Sequence, residues 1–217
     1  MTKCRLFAWM LILLILAAVA YFVNRFGTDT PVEYSSAEEH FKYGSTGGER
    51  VSGFPFWIWR ALPNVCAAYL PGKGYESLGM LFEPGKDLPV GMSRRHVTGM
   101  DRVFLNCAVC HTSTVRDAPS ATPRLVLGMP ANGLDLMGFQ NFFFNCAVDV
   151  KFSPEYIVPE VQALGADLDV IDRYIVYPLA IYLMRDRLIM LRDRFAFAGK
   201  QPPWGPGGVG TFNVNKA

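Results

Sequence analysis

The longest apolar run in the chain is Leu6 to Asn24, which holds no charged side chain. As a helix it reaches about 28 Å, close to the thickness of a bilayer's hydrocarbon core, so the pattern predicts a membrane-spanning segment over residues 1–25. Lys3 and Arg5 precede it and Arg25 follows, ahead of Asp29 and Glu33. That bias puts the N-terminus in the cytoplasm and the rest of the chain outside. A secretory signal peptide competes, with Ala18-Val19-Ala20 as its small-residue cleavage site, but the apolar run continues through Tyr21, Phe22 and Val23 and favours an uncut anchor. Residues 26–35 then read as a linker, and 36–217 as the exported domain.

Inside that domain the patterning is mostly helical. Ser35-x-x-Glu38 and Ser36-x-x-Glu39 are capping boxes that open a short helix bearing His40, Phe41 and Tyr43. Gly53 to Pro63 gathers Phe54, Phe56, Trp57 and Trp59, a core segment that also has the flat walls a tetrapyrrole needs. Between Leu70 and Met92 the repeated Pro and Gly predict irregular loops. Leu136, Phe139 and Phe143 recur at helical spacing and lead to a helix end near Asn145 to Asp149, and Ser153-Pro154-Glu155 opens another helix. A long tract over 166–198 follows, kinked at Pro178, with Met184, Leu188, Leu191 and Phe195 on its inner face. Its uncharged portion, Tyr174 to Met184, is too short for a second span. The fold class expected is mainly α with long irregular loops, behind an N-terminal transmembrane helix.

Composition sharpens this. With 51% hydrophobic and 13% aromatic residues in 217, the chain is no disordered tail. Its formal charge of +2 comes from the membrane end: without Lys3, Arg5 and Arg25 the basic residues fall from 21 to one fewer than the 19 acidic ones. No basic face for nucleic acid is implied.

Candidate chemistry sits in Cys107-Ala-Val-Cys110-His111. Two thiols with this spacing and an adjacent imidazole match a c-type haem attachment, in which the thiols add to the porphyrin's vinyl groups and the imidazole reaches the iron. Half a zinc site, a thiol redox pair and chance are the blander readings. Zinc wants a second Cys or His pair, and a redox pair wants a βαβ context; neither is evident. Export agrees with haem, because the covalent linkage is made outside the bacterial cytoplasmic membrane. The near-copy Asn145-Cys-Ala-Val-Asp149 fails as a second site, since Asp149 and Val150 replace the thiol and the imidazole. Cys66 and Cys146 are left either to pair in an oxidising space or to stay as two buried thiols.

The sixth position on the iron decides what such a haem does. His96, Met129, Met100 and His40 are the leading candidates, with Met80, Met92, Met137, Met184 and Met190 behind them; for each methionine packing is the alternative. Arg94, Arg95 and Arg102, just before the motif, read either as a solvated basic loop or as propionate contacts. The motif itself is expected on the C-terminal side of a short helix beginning near Arg102.

Phe41-Lys-Tyr-Gly-Ser, Phe56-Trp-Ile-Trp-Arg-Ala-Leu-Pro, Gly74-Tyr-Glu-Ser-Leu-Gly, Leu88-Pro-Val-Gly, Leu105-Asn-Cys-Ala-Val-Cys-His-Thr and Gly128-Met-Pro-Ala-Asn, with Trp204-Gly-Pro-Gly near the end, give the chain its resemblance. Together they resemble the N-terminal haem part of the rubber-oxygenase-like and di-haem cytochrome c peroxidase group. The resemblance implies a small helical cytochrome c-like domain with long loops, one covalent haem c on Cys107 and Cys110, and His111 as proximal ligand. It departs from the group in carrying one haem motif, with Gly208 and Gly210 where those cytochromes show Arg and Asp. The chain then reads as a one-haem or truncated member, or one whose second haem sits on another subunit. The function expected is a mono-haem cytochrome on the inner membrane, carrying single electrons to redox partner proteins on the periplasmic side. A haem peroxidase or oxygenase subunit with an open sixth position, and a haem-stabilised structural subunit of a membrane complex, are the alternatives.

Overall fold

A computed structural model describes residues 3–197 and 205–208. Helix α1 (Lys3–Phe26) has an 18-residue window of mean hydropathy 2.7 and none of that window is buried against the rest of the chain, so it is long and apolar enough to cross a membrane or to serve as a signal sequence. Within the expected linker, β1 (Asp29–Pro31) pairs antiparallel with β3 (Met92–Val97), Asp29 opposite Val97. β3 pairs in turn with β4 (Met100–Leu105), and β4 with β2 (Phe54–Pro55), giving a four-stranded antiparallel sheet of order β1-β3-β4-β2. A second ladder joins β5 (Thr112–Val115) to β6 (Arg124–Leu127).

Helices make up about half of the chain, as expected, but these sheets do not fit a mainly α fold cleanly. Met92 to Leu105 is rich in Arg and polar residues, which hid a hairpin. Its turn, Thr98-Gly99, has positive φ at both positions (56° and 75°), the two-residue turn whose twist matches that of paired strands. The polar residues are accommodated because most strand positions are half-buried and let long side chains reach out.

The helices follow the sequence more closely. α2 (Ala37–Tyr43) is capped by Ser36, whose hydroxyl accepts from the Glu39 N–H at 3.0 Å. α3 (Gly48–Ser52) is a single turn, and α4 (Phe56–Val65) carries the aromatic segment. Leu70 to Gly91 contains one 3₁₀ turn (Tyr75–Leu78) amid loop, as the Pro and Gly pattern requires. α5 (Leu136–Val148) and α6 (Pro154–Ala163, with Pro at its first position) form where predicted. The tract after them is a π turn (Asp172–Val176) leading into α7 (Tyr177–Arg194). Pro178 has no N–H to give to the carbonyl of Tyr174, and the irregularity lies upstream, where the Tyr177 N–H reaches back to the carbonyl of Asp172.

α4, α5, α6 and α7 bury one aromatic core. Trp59 stacks on Tyr75 at 4.5 Å and Phe54 on Phe143 at 4.7 Å; the fully buried Tyr75 hydroxyl donates to the Trp59 carbonyl at 2.7 Å. Of the inner stripe on α7, Met184 and Leu188 are buried, while Leu191 and Phe195 are partly buried against the core. The two readings of Cys66 and Cys146 resolve to a disulfide, which ties the end of α4 to α5 with 5.6 Å between Cα atoms.

Candidate functional site

Cys107, Ala108 and Val109 form a 3₁₀ turn directly after β4, so a strand leads into the motif rather than a helix starting near Arg102. The turn is held from inside by Asn106, which is 7% exposed. Its Oδ1 accepts from the Ala108 N–H at 2.9 Å, and its Nδ2 donates to the carbonyls of Lys42 and Gly44 at 3.3 and 3.1 Å. The C-terminal end of α2 is thereby fastened to the motif. Gly91 completes the seat: its N–H donates to the Lys42 carbonyl, its carbonyl accepts from the Asn106 N–H, and at φ 92° an added Cβ would stand 2.2 Å from the Val109 nitrogen. Neither residue carries reactive chemistry. The sequence signals for them were the Asn-Cys-Ala-Val string and the Pro-Val-Gly that ends the loop region.

On this seat Ala108 and Val109 point inward, while Cys107 and His111 are exposed and Cys110 is half-buried. Both thiols are free. Burial, and secondarily the neighbouring Cys107, push the Cys110 thiol above its ordinary value, so it is protonated at neutral pH. Behind the turn the interior is filled, with a cavity of about 10 Å³ lined by Val90, Val109, Thr112, Ala131 and Leu134 among others. A bound group would therefore lie against the outward face. Thr112 Oγ1 and Ser113 Oγ, buried just after His111, have no hydrogen-bond partner among the described residues.

The other candidates fall into separate places. Met129 is brought to the motif: Gly128 N–H donates to the His111 carbonyl at 2.8 Å and Ala131 N–H to the Cys110 carbonyl at 2.9 Å, so Gly128–Ala131 runs edge to edge with Cys110-His111. His40 lies on the exposed side of α2, its ring over Gly44, whose carbonyl is bound by Asn106. His96 and Met100 stand at the other end of the hairpin, where His96 Nδ1 meets Asp101 Oδ1 at 2.9 Å; about 14 Å of strand separates Asp101 from Leu105. Met80, Met92 and Met184 are core residues, Met137 is half-buried on α5, and Met190 is exposed on α7.

The arginines are not a loop but rungs of the hairpin. Arg94 pairs with Asp87 and lies 3.8 Å over the Phe56 ring; Arg95 pairs with Asp29. Arg102 is half-buried opposite Arg95, with no carboxylate partner among the described residues, and burial together with the nearby Arg187 lowers its pKa. Beside the motif, Lys42 and the Tyr43 hydroxyl both donate to the Glu83 carboxylate, at 2.9 and 2.7 Å. Partial burial raises the Glu83 carboxyl, but these two hydrogen bonds outweigh it and hold it below the usual range.

Among the described residues no three His, Cys, Asp or Glu side chains converge to hold a metal ion, Cys107, Cys110 and His111 included. A c-type attachment does not ask them to converge, since the thiols bond the porphyrin's periphery and only the imidazole seeks the iron. The donor set fits that group. No family model, curated protein or solved structure matches the chain.

Proposed function

We propose that the chain is a membrane-anchored c-type cytochrome, in which Cys107 and Cys110 hold one haem c and His111 is its proximal ligand. The observation that carries this reading is the contrast among its cysteines. Cys66 and Cys146 are buried and paired, whereas Cys107 and Cys110 are free on a surface turn with an imidazole beside them. A domain that keeps a disulfide sits in an oxidising space, where a neighbouring pair of thiols, one exposed and one half-buried, oxidises unless another group consumes it. Addition of each S–H across a vinyl group does so without a leaving group. When bound, the haem supplies one-electron chemistry. The chain's part is to present both thiols and the imidazole on a rigid turn, and α1 as an uncut anchor keeps that turn at the outer face of a bacterial inner membrane.

One observation favours the enzymatic alternative, a haem peroxidase or oxygenase subunit. The ladder from Cys110 to Ala131 sets the Met129 backbone beside that of His111, so His111 would hold the iron and Met129 would lie next to that ligand. Three methionines are in the core and His96 and Met100 are at the far end of the hairpin, whereas His40 lies on α2, whose end Asn106 fastens to the motif. If His40 does not bind, the sixth position stays open to oxygen or peroxide.

Production of the full chain together with a haem-attachment system tests both readings. Covalent haem is expected on the intact chain and none on a Cys107→Ala, Cys110→Ala double variant; an intact chain with both thiols still free refutes the assignment. A low-spin ferrous spectrum unchanged by carbon monoxide supports the electron carrier, and a His40→Ala variant that then binds carbon monoxide identifies the distal ligand. A parent that already binds carbon monoxide favours the enzyme.

A further inference from the structure

Arg25, at the end of α1, is tied to the start of the helical tract that leads into α7: its guanidinium meets Asp169 and Asp172 at 2.6 Å each. The start of the π turn is therefore pinned where α1 leaves. The Thr98-Gly99 turn is at the same level, since a Cβ on Gly99 would stand 2.6 Å from the Phe26 ring.

Immediately after Asp172, in the next three turns, Tyr174, Ile175, Leu179, Tyr182 and Leu183 are all 49–67% exposed. They lie away from the face of α7 that carries Tyr177, Ile181, Met184 and Leu188, all buried in the core. A soluble surface seldom gathers so many large apolar side chains in one place. Their mixture of aliphatic groups with two tyrosines is that of a bilayer–water boundary.

The tie to Arg25 brings them to that boundary, because the patch begins two residues after Asp172, whose carboxylate holds the guanidinium at the end of α1. Beside the apolar side chains Arg173 and Arg187 have no carboxylate partner among the described residues, which suits anionic phosphate headgroups.

We propose that the outer face of residues 174–183 lies in the headgroup region of the membrane crossed by α1, with Arg173 and Arg187 toward lipid phosphates. This rests on the reading of α1 as an uncut anchor. The domain is thus held at two places, and its orientation over the bilayer is fixed.

Photo-crosslinking on the full chain in bacterial membranes tests it, with a benzophenone-bearing phenylalanine in place of Leu179, Leu183, Leu16 in α1, or Tyr156, an exposed residue of α6. Mass spectrometry then identifies what each position has captured. Phospholipid adducts at 179, 183 and 16 with none at 156 are expected, and loss of those at 179 and 183 in an Arg25→Ala, Arg187→Glu background. Lipid at 16 but not at 179 or 183 overturns the proposal and leaves the anchor standing. Lipid at none of them removes the anchor as well. Protein adducts at 179 and 183 in place of lipid also overturn it, because a partner subunit then covers the face.

Discussion

Asn106 is the residue on which the geometry of the candidate site depends, and its replacement gives a graded result. Asn106→Ala removes the cap on the motif's 3₁₀ turn and both hydrogen bonds to the end of α2. A lost cap costs about 1 kcal/mol. Each buried hydrogen bond adds about 1 kcal/mol, more if a carbonyl is left unsatisfied, for a total of about 2–4 kcal/mol. That is a large part of the roughly 5–15 kcal/mol that stabilises a domain. Asn106→Ser keeps an oxygen for the Ala108 N–H but cannot reach the two carbonyls, and should lose about half as much. Asn106→Asp keeps the cap yet turns a carboxylate oxygen toward those carbonyls, so it should fall below Ser. Urea unfolding of the detergent-solubilised chain, followed by tryptophan fluorescence, reads the order Asn, Ser, Asp, with Ala beyond Ser. Covalent haem yield should decline in parallel, because a loosened turn no longer presents both thiols. An Ala variant within about 0.5 kcal/mol of the parent, the range of an ordinary surface change, would refute the reasoning.

Two further outcomes follow from the same scaffold. Replacing both Cys66 and Cys146 by Ala opens a closure of 80 residues and should cost about 4–5 kcal/mol by loop entropy, measurable as a fall in the denaturant midpoint of the chain kept under non-reducing conditions. Glu83, held below the usual carboxylate range by Lys42 and Tyr43, contributes stability that is complete above the unfolded carboxylate's pKa and fades as pH drops through the lower folded value. A Glu83→Gln variant should therefore be less stable near neutrality and lose less on acidification. Parallel stability-versus-pH curves for variant and parent would contradict that role.

What could be read from the chain and what could not divide on physical lines. Caps, prolines and helical periodicity act over a few residues, and they placed α2, α5 and α6 and the irregular stretch before Met92. The strands failed because their signal is not local. β1 is three residues long and exists only by pairing with Val97, His96 and Arg95, and the arginine-rich hairpin shows no clean alternation. At the candidate site the reactive residues were legible from spacing, while their supports were not, since the contacts of Asn106 with Lys42 and Gly44 span more than 60 positions. The repeated Asn-Cys-Ala-Val string makes the point most sharply. At 106 the Asn is buried and the Cys exposed; at 145 the Asn is exposed and the Cys buried in a disulfide. The same four letters have opposite faces because one copy follows a strand and the other ends a helix.

The pairing of β1 with β3, together with the grip of Asp169 and Asp172 on Arg25, decides how far the domain can travel. Ten flexible residues between anchor and domain would let it sweep a radius of roughly 17 Å. With that stretch folded into the sheet edge, the body is a post and not a float. On the proposed function, a redox partner would have to bring its own reacting centre to the height at which the Cys107–His111 turn is held, and the distance between the turn and the bilayer would become part of the selection of partners.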